Sequence, residues 1–149
     1  MSTVSARIVI GAPIERVWDL VMDPARLGDW VTIHRSVSDV SDSPLRRGST
    51  MEQAIHVRGL TFKVHWTLKS IDKPRLAAWE GIGPAHSTAI IRYELASDDQ
   101  GTTVFQYTNE FHPPGGKVGS VAGRMIVGAT SEREAHASLS RLKHLLERS

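Results

Sequence analysis

From residue 49 to residue 111, apolar and polar side chains alternate with a period of two, the pattern of strands buried on one face. Met51, Gln53, Ile55 and Val57 alternate with Glu52, Ala54, His56 and Arg58; Phe62, Val64, Trp66 and Leu68 alternate with Lys63, His65, Thr67 and Lys69. Between these runs Gly59-Leu60, glycine first, reads as a two-residue hairpin turn. It predicts Val57 opposite Phe62, Ile55 opposite Val64, Gln53 opposite Trp66 and Met51 opposite Leu68, with Lys63 opposite His56 on the other face. A slip of one residue would scatter the apolar set over both faces. Asp72-Lys73-Pro74-Arg75 predicts the next turn and residues 76–82 the next strand, which sets Trp79 beside Leu68 and Gly81 opposite Trp66, leaving space for the indole. Ser87, Ala89, Ile91, Tyr93 and Leu95 share the apolar face of a further strand. Phe105, Tyr107, Asn109 and Phe111 share that of the last, over residues 103–111.

Upstream, residues 3–10 read as a strand closed by Gly11. Pro13 then opens a helix, since its missing N–H costs nothing in a first turn. Ile14, Val17, Trp18 and Val21 form that helix's apolar side, Asp23-Pro24 starts a second short helix running to Trp30, and residues 31–40 form a weaker strand. Downstream, steps mostly of three and four between Val118, Val121, Ala122, Met125, Ala129, Ala135, Leu139, Leu142 and Leu146 predict one long helix over residues 117–147. Its Leu-rich half, 135–146, reads as the anchor. Gly119, Gly123 and Gly128 each cost about 0.5–1 kcal/mol relative to alanine. Residues 117–129 are therefore expected either to form one wall of a cavity or to pack closely on the strands with no space left. The sum is an α+β chain: a seven-stranded curved antiparallel sheet wrapped around a long C-terminal helix, with two short helices between strands 1 and 2. Only that helix is long enough to cover the apolar face of the sheet.

The 149 residues suit one domain spanning 1–149. Formal net charge is +2, and Arg46-Arg47 is the only tight basic pair before the terminal helix, so no nucleic-acid groove is expected. With no cysteine, disulfides, thiolate catalysis and cysteine-ligated zinc are excluded, and a cytoplasmic location is the simplest expectation. A signal peptide is not expected, nor membrane insertion, since no stretch approaches the roughly 20 apolar residues of a membrane span. Oligomeric state stays open, a homodimer included.

The strand registers supply a list of side chains that should face the interior. Among apolar residues it holds Gln53, Trp66, Trp79, Ser87, Tyr93, Tyr107 and Asn109, joined from the glycine-dotted helix half by Val121 and Met125. In those strands it holds no Asp, Glu, Lys, Arg or His. General acid–base chemistry needs a positioned titratable group, whereas a mostly apolar lining with a few neutral polar groups suits binding. His56 and His65 are expected on the outer face, and no His-Glu-x-x-His spacing appears, so no metal is expected. His34 and His112 flank strand ends where a cavity mouth should lie, and Glu110 beside His112 is the acid–base pair worth testing. Gly115-Gly116-Lys117 is no phosphate loop: position 111 is Phe where a glycine is required, and no Ser or Thr follows Lys117. Neither a metal nor a nucleotide cofactor is expected.

Four phrases carry a resemblance to a known family: Ile10-Gly-Ala-Pro-Ile-Glu-Arg-Val-Trp18, Asp23-Pro-Ala-Arg-Leu-Gly-Asp-Trp30, Ile71-Asp-Lys-Pro-Arg-Leu-Ala-Ala-Trp79 and Ser138-Leu-Ser-Arg-Leu-Lys-His-Leu-Leu-Glu147. With the element order, they make the chain resemble the START-type helix-grip superfamily (SRPBCC-like), in its polyketide cyclase/dehydrase branch. The resemblance implies a helix-grip fold and binding or transformation of a hydrophobic small molecule such as a lipid or polyketide. If catalytic, the chain would carry out shape-directed cyclisation, dehydration or hydrolysis, with Tyr107, Asn109 and His34 as polar participants. Trp30-Val-Thr-Ile-His34 is similar to a phrase of family members that act as toxins of toxin–antitoxin pairs, which implies a regulatory alternative. Fold alone does not choose between these.

Overall fold

A computed structural model of the chain describes residues 2–57, 59–98, 100–112 and 131–148. Seven antiparallel strands form one sheet: β1 (Ser2–Ile10), β2 (His34–Ser38), β3 (Thr50–Val57), β4 (Leu60–Asp72), β5 (Leu76–Ile82), β6 (Thr88–Ser97) and β7 (Thr103–His112). Their spatial order is β1-β7-β6-β5-β4-β3-β2, so β2 to β7 form a meander and β1 closes the far side against β7. Between β1 and β2 lie α1 (Ile14–Val21), a 3₁₀ turn (Pro24–Arg26) and the single-turn α2 (Leu27–Trp30). The last helix, α3, is Glu132–Arg148.

The alternation in the sequence becomes burial. Along β3, Met51, Gln53 and Ile55 are buried while Glu52, Ala54 and His56 are less so. In β4, Val64, Trp66 and Leu68 are buried. The β3–β4 register differs from the expected one: Val57 pairs with Leu60, Ile55 with Phe62, Gln53 with Val64 and Met51 with Trp66. The reversal lies one residue earlier than read, with Gly59 second in the turn at φ +81°, a conformation glycine adopts at little cost. The pairing thus moves by two residues and every side chain keeps its face. On the outer face His56 lies opposite Thr61, and Lys63 lies opposite Ala54. Leu68 pairs with Trp79 and Trp66 with Gly81, as the sequence predicts.

Two bulges bend the sheet, one in β4 between Leu68 and Ser70 and one in β2 between His34 and Ser36. The second decides where His34 goes. Residues 34 and 37 are three apart and would lie on opposite faces of a regular strand. With Arg35 extra, His34 sits opposite Ile55 and Val37 opposite Gln53, both on the inner face.

On α3, Ala135, Ser138, Leu139, Leu142 and Leu146 are buried, the stripe that the Leu-rich half predicts. The helix is not one uninterrupted rod from residue 117 to 147, because Ser131 is non-helical and caps it: the Glu134 N–H donates to Ser131 Oγ at 3.3 Å. The glycine-dotted segment, 117–129, lies outside the described residues. The far end of α3 is tied to the β1 exit, where Gly11 N–H donates to Glu147 Oε2 (2.7 Å) and Lys143 Nζ to the Val9 carbonyl (2.7 Å). Thr103 secures the same β1 exit, donating from Oγ1 to the Ala12 carbonyl at 2.7 Å with no exposure to solvent. Thr103→Val keeps the shape and removes that bond, leaving a buried carbonyl unpaired. It should cost about 1–2 kcal/mol by urea denaturation; an unchanged midpoint would mean the bond contributes nothing.

Candidate functional site

The inner face of the sheet, the α1–α2 connection and the start of α3 enclose a pocket of about 130 Å³. Gln53, Trp66, Trp79, Ser87, Tyr93, Tyr107 and Asn109 all line it, contributed by β3, β4, β5, β6 with its lead-in and β7. Geometry therefore brings together the seven described residues of the interior list. Val121 and Met125 lie outside the described residues.

A relay of hydrogen bonds runs from this wall to the sheet edge. Trp66 Nε1–H donates to Gln53 Oε1 at 2.8 Å. An indole N–H can only donate, so the Gln53 oxygen faces it and the amide nitrogen faces outward. That nitrogen is 2.9 Å from His34 Nδ1 and donates to it, which leaves the imidazole proton on Nε2. His34 is half-buried, and desolvation holds its pKa below the ordinary histidine value. The same tautomer is what a Gln53 donor requires. His34 thus reaches the pocket through Gln53 rather than lining it.

Tyr93 and Tyr107 are pushed up by burial, Tyr107 to about 12, with the Asn109 amide acting in the opposite direction on Tyr107. Both phenols stay protonated at neutral pH and act as hydrogen-bond donors rather than bases. Trp30 and Tyr93, which line the pocket, and Phe105 behind them meet edge to face, with centroids 5.4–6.2 Å apart. Two buried polar atoms there, Trp30 Nε1 and Asn109 Oδ1, have no partner among the described residues.

The other candidates fall elsewhere. His112 Nε2 lies 3.2 Å from Glu110 Oε1, yet the pair flanks Phe111, which lines the pocket, and so lies on the opposite face of β7. His65 pairs with Glu52 at 2.6 Å and His56 with Thr61 at 3.0 Å, on the outer face. Among the described residues no three His, Asp or Glu side chains converge.

Glu134, Thr32 and Ser138 were not expected at the site. Thr32 N–H donates to Ser138 Oγ (3.1 Å) and Thr32 Oγ1 to Glu134 Oε2 (2.5 Å), which fastens the segment after α2 to the first turn of α3 beside the pocket. All three line it. Ser131-x-x-Glu134, a capping-box spacing, is the signal that could have found Glu134 by starting the helix there.

A family model described as polyketide cyclase / dehydrase and lipid transport matches residues 1–147. Toxin Rv0910 of Mycobacterium tuberculosis is 24% identical over 104 residues, 70% of this chain and 72% of that protein. Among solved structures, the ZhuI aromatase/cyclase from Streptomyces sp. R1128 superposes with a TM-score of 0.74 at 19% identity, covering 99% of this chain and 94% of that one. DR_A0006 from Deinococcus radiodurans superposes with a TM-score of 0.73 at 16% identity, covering 99% and 98%. Likeness at these identities is likeness of fold. Among the described residues no helix is long and apolar enough to cross a membrane.

Proposed function

Because the chain belongs to the polyketide cyclase / dehydrase and lipid transport family, we propose that it binds a small hydrophobic molecule, with an aromatic ring or comparable flat group in the pocket. One observation carries this reading: an apolar, aromatic-walled space of about 130 Å³ whose strand-borne polar groups are all neutral. A dry cavity of about 150 Å³ is known to take benzene. A space of this order suits no more than one ring, so a larger ligand would place its other parts at the opening. Gln53, Ser87, Tyr107 and Asn109 would orient the ligand, and the Trp66 and Trp79 faces would stack on it.

Native mass spectrometry of protein purified from its host tests the reading by looking for a retained small molecule. Ala89 lines the pocket between Gly81 on β5 and Phe111 on β7. Ala89→Phe should fill the space and weaken binding of a lipophilic dye at least about tenfold, the scale of a lost ring-sized site, with circular dichroism unchanged. Equal dye affinity in both proteins would sink the proposal. The mycobacterial relative carries the name toxin, which supports a second reading as a regulatory protein. That reading expects no retained molecule and no dye binding.

A further inference from the structure

The pocket lining holds one formally charged side chain, Glu134, and no Lys, Arg or His among the described residues. Thr32 Oγ1 occupies Glu134 Oε2 and fixes the carboxylate at the pocket wall. A carboxylate has about four acceptor sites, so this bond leaves most of its capacity unused. Among the described residues no cation neutralises it: no ion pair there includes Glu134, and its described neighbours at three and four residues are Ser131, Ala137 and Ser138. The same lining presents Trp30, Trp66, Trp79, Tyr93 and Tyr107, aromatic rings whose faces attract cations.

Resting on the binding reading above, we infer that the pocket selects an apolar molecule ending in an ammonium group, with the ring among the aromatics and the ammonium against Glu134. A neutral hydroxyl could donate to the same carboxylate. Only a cation gains from both the charge and the rings, and an anion is repelled by both.

Three one-ring probes of nearly equal length separate these cases: 2-phenylethylammonium, 2-phenylethanol and 3-phenylpropanoate, titrated while tryptophan fluorescence is followed. Wild type should bind the ammonium about tenfold tighter than the alcohol, the combined scale of one partly exposed ion pair and a cation–π contact, and the carboxylate weakest. Glu134→Gln keeps an acceptor for Thr32. It should abolish the preference for the ammonium over the alcohol, with circular dichroism unchanged to report an intact fold. If wild type binds ammonium and alcohol equally, or the variant keeps the ammonium preference, the inference about Glu134 is overturned and the pocket still stands. If none of the three binds either protein, the binding reading falls with it.

Discussion

Gly81→Ala is expected to destabilise the protein by about 3 kcal/mol, far beyond the cost of a methyl group in a strand. Gly81 lies directly opposite Trp66. A Cβ built there would meet the indole at 2.6 Å from Cζ3, 2.7 Å from Cε3 and 2.9 Å from Cη2, well inside contact distance. The neighbour is a rigid bicyclic ring with 7% exposure, not the loose end of a flexible side chain. Its N–H is also committed to Gln53. Moving the ring adds overpacking of about 1–3 kcal/mol to a buried donor losing its acceptor, about 1–3 kcal/mol more. Urea denaturation should show a lower midpoint with unchanged slope. Trp66→Phe removes the atoms that collide, so the double variant should recover part of the loss, a coupling that a mutant cycle measures directly. Gly81→Ala within about 0.5 kcal/mol of wild type, the ordinary surface range, would show that the indole does not depend on this glycine.

The same contact shows what the sequence can deliver. Trp66 over Gly81 follows from a turn marked by Lys73-Pro74 and the alternation on either side of it, and the structure agrees on the pair, across a bulge between Leu68 and Ser70 that the sequence does not announce. The β3–β4 pairing used the same logic and came out displaced by two residues, because alternation specifies the face and leaves register to the turn. Glycine can serve at either central position, and Arg58-Gly59-Leu60 alone does not say which. The strand-borne residues of the interior list keep their face because a displacement of two preserves it.

Where geometry is not periodic, the sequence was silent. No glycine or proline marks the β2 bulge in His34-Arg35-Ser36, so nothing announced that His34 would turn inward to Gln53. Ser131 and Glu134 stood within an apolar stripe that reads through them. Taking the stripe as one helix put Glu134 on its solvent side and hid its place at the pocket. Fold was legible because many weak signals agree; the charged member of the site rests on one cap.

Gln53→Glu should reverse the direction in which pH acts on stability. In wild type, burial lowers the folded-state pKa of His34, while the unfolded chain titrates near 6.5. Between the lowered value and 6.5 the unfolded state holds more protons, so stability falls as pH drops through that window and is level above it. Protonation at Nδ1 would also turn Gln53 away from Trp66, because the amide cannot donate to an imidazolium. A carboxylate in place of the amide accepts from both the indole and Nδ1–H. At high pH it is a buried charge facing a neutral ring, which costs about 3–5 kcal/mol. As pH falls the pair takes up a proton, whether it rests on imidazole or carboxyl, with an apparent pKa above 6.5. Stability from that uptake is fully present below the unfolded value and lost as pH rises through the folded one. Wild type should therefore be less stable at about pH 5.5 than at about pH 8 through this group, and Gln53→Glu the reverse, each displaced pKa unit being worth about 1.4 kcal/mol. Urea midpoints at the two pH values test this, together with an NMR titration of the His34 ring. If both proteins slope the same way and the ring titrates alike in both, Gln53 does not couple His34 to the pocket wall.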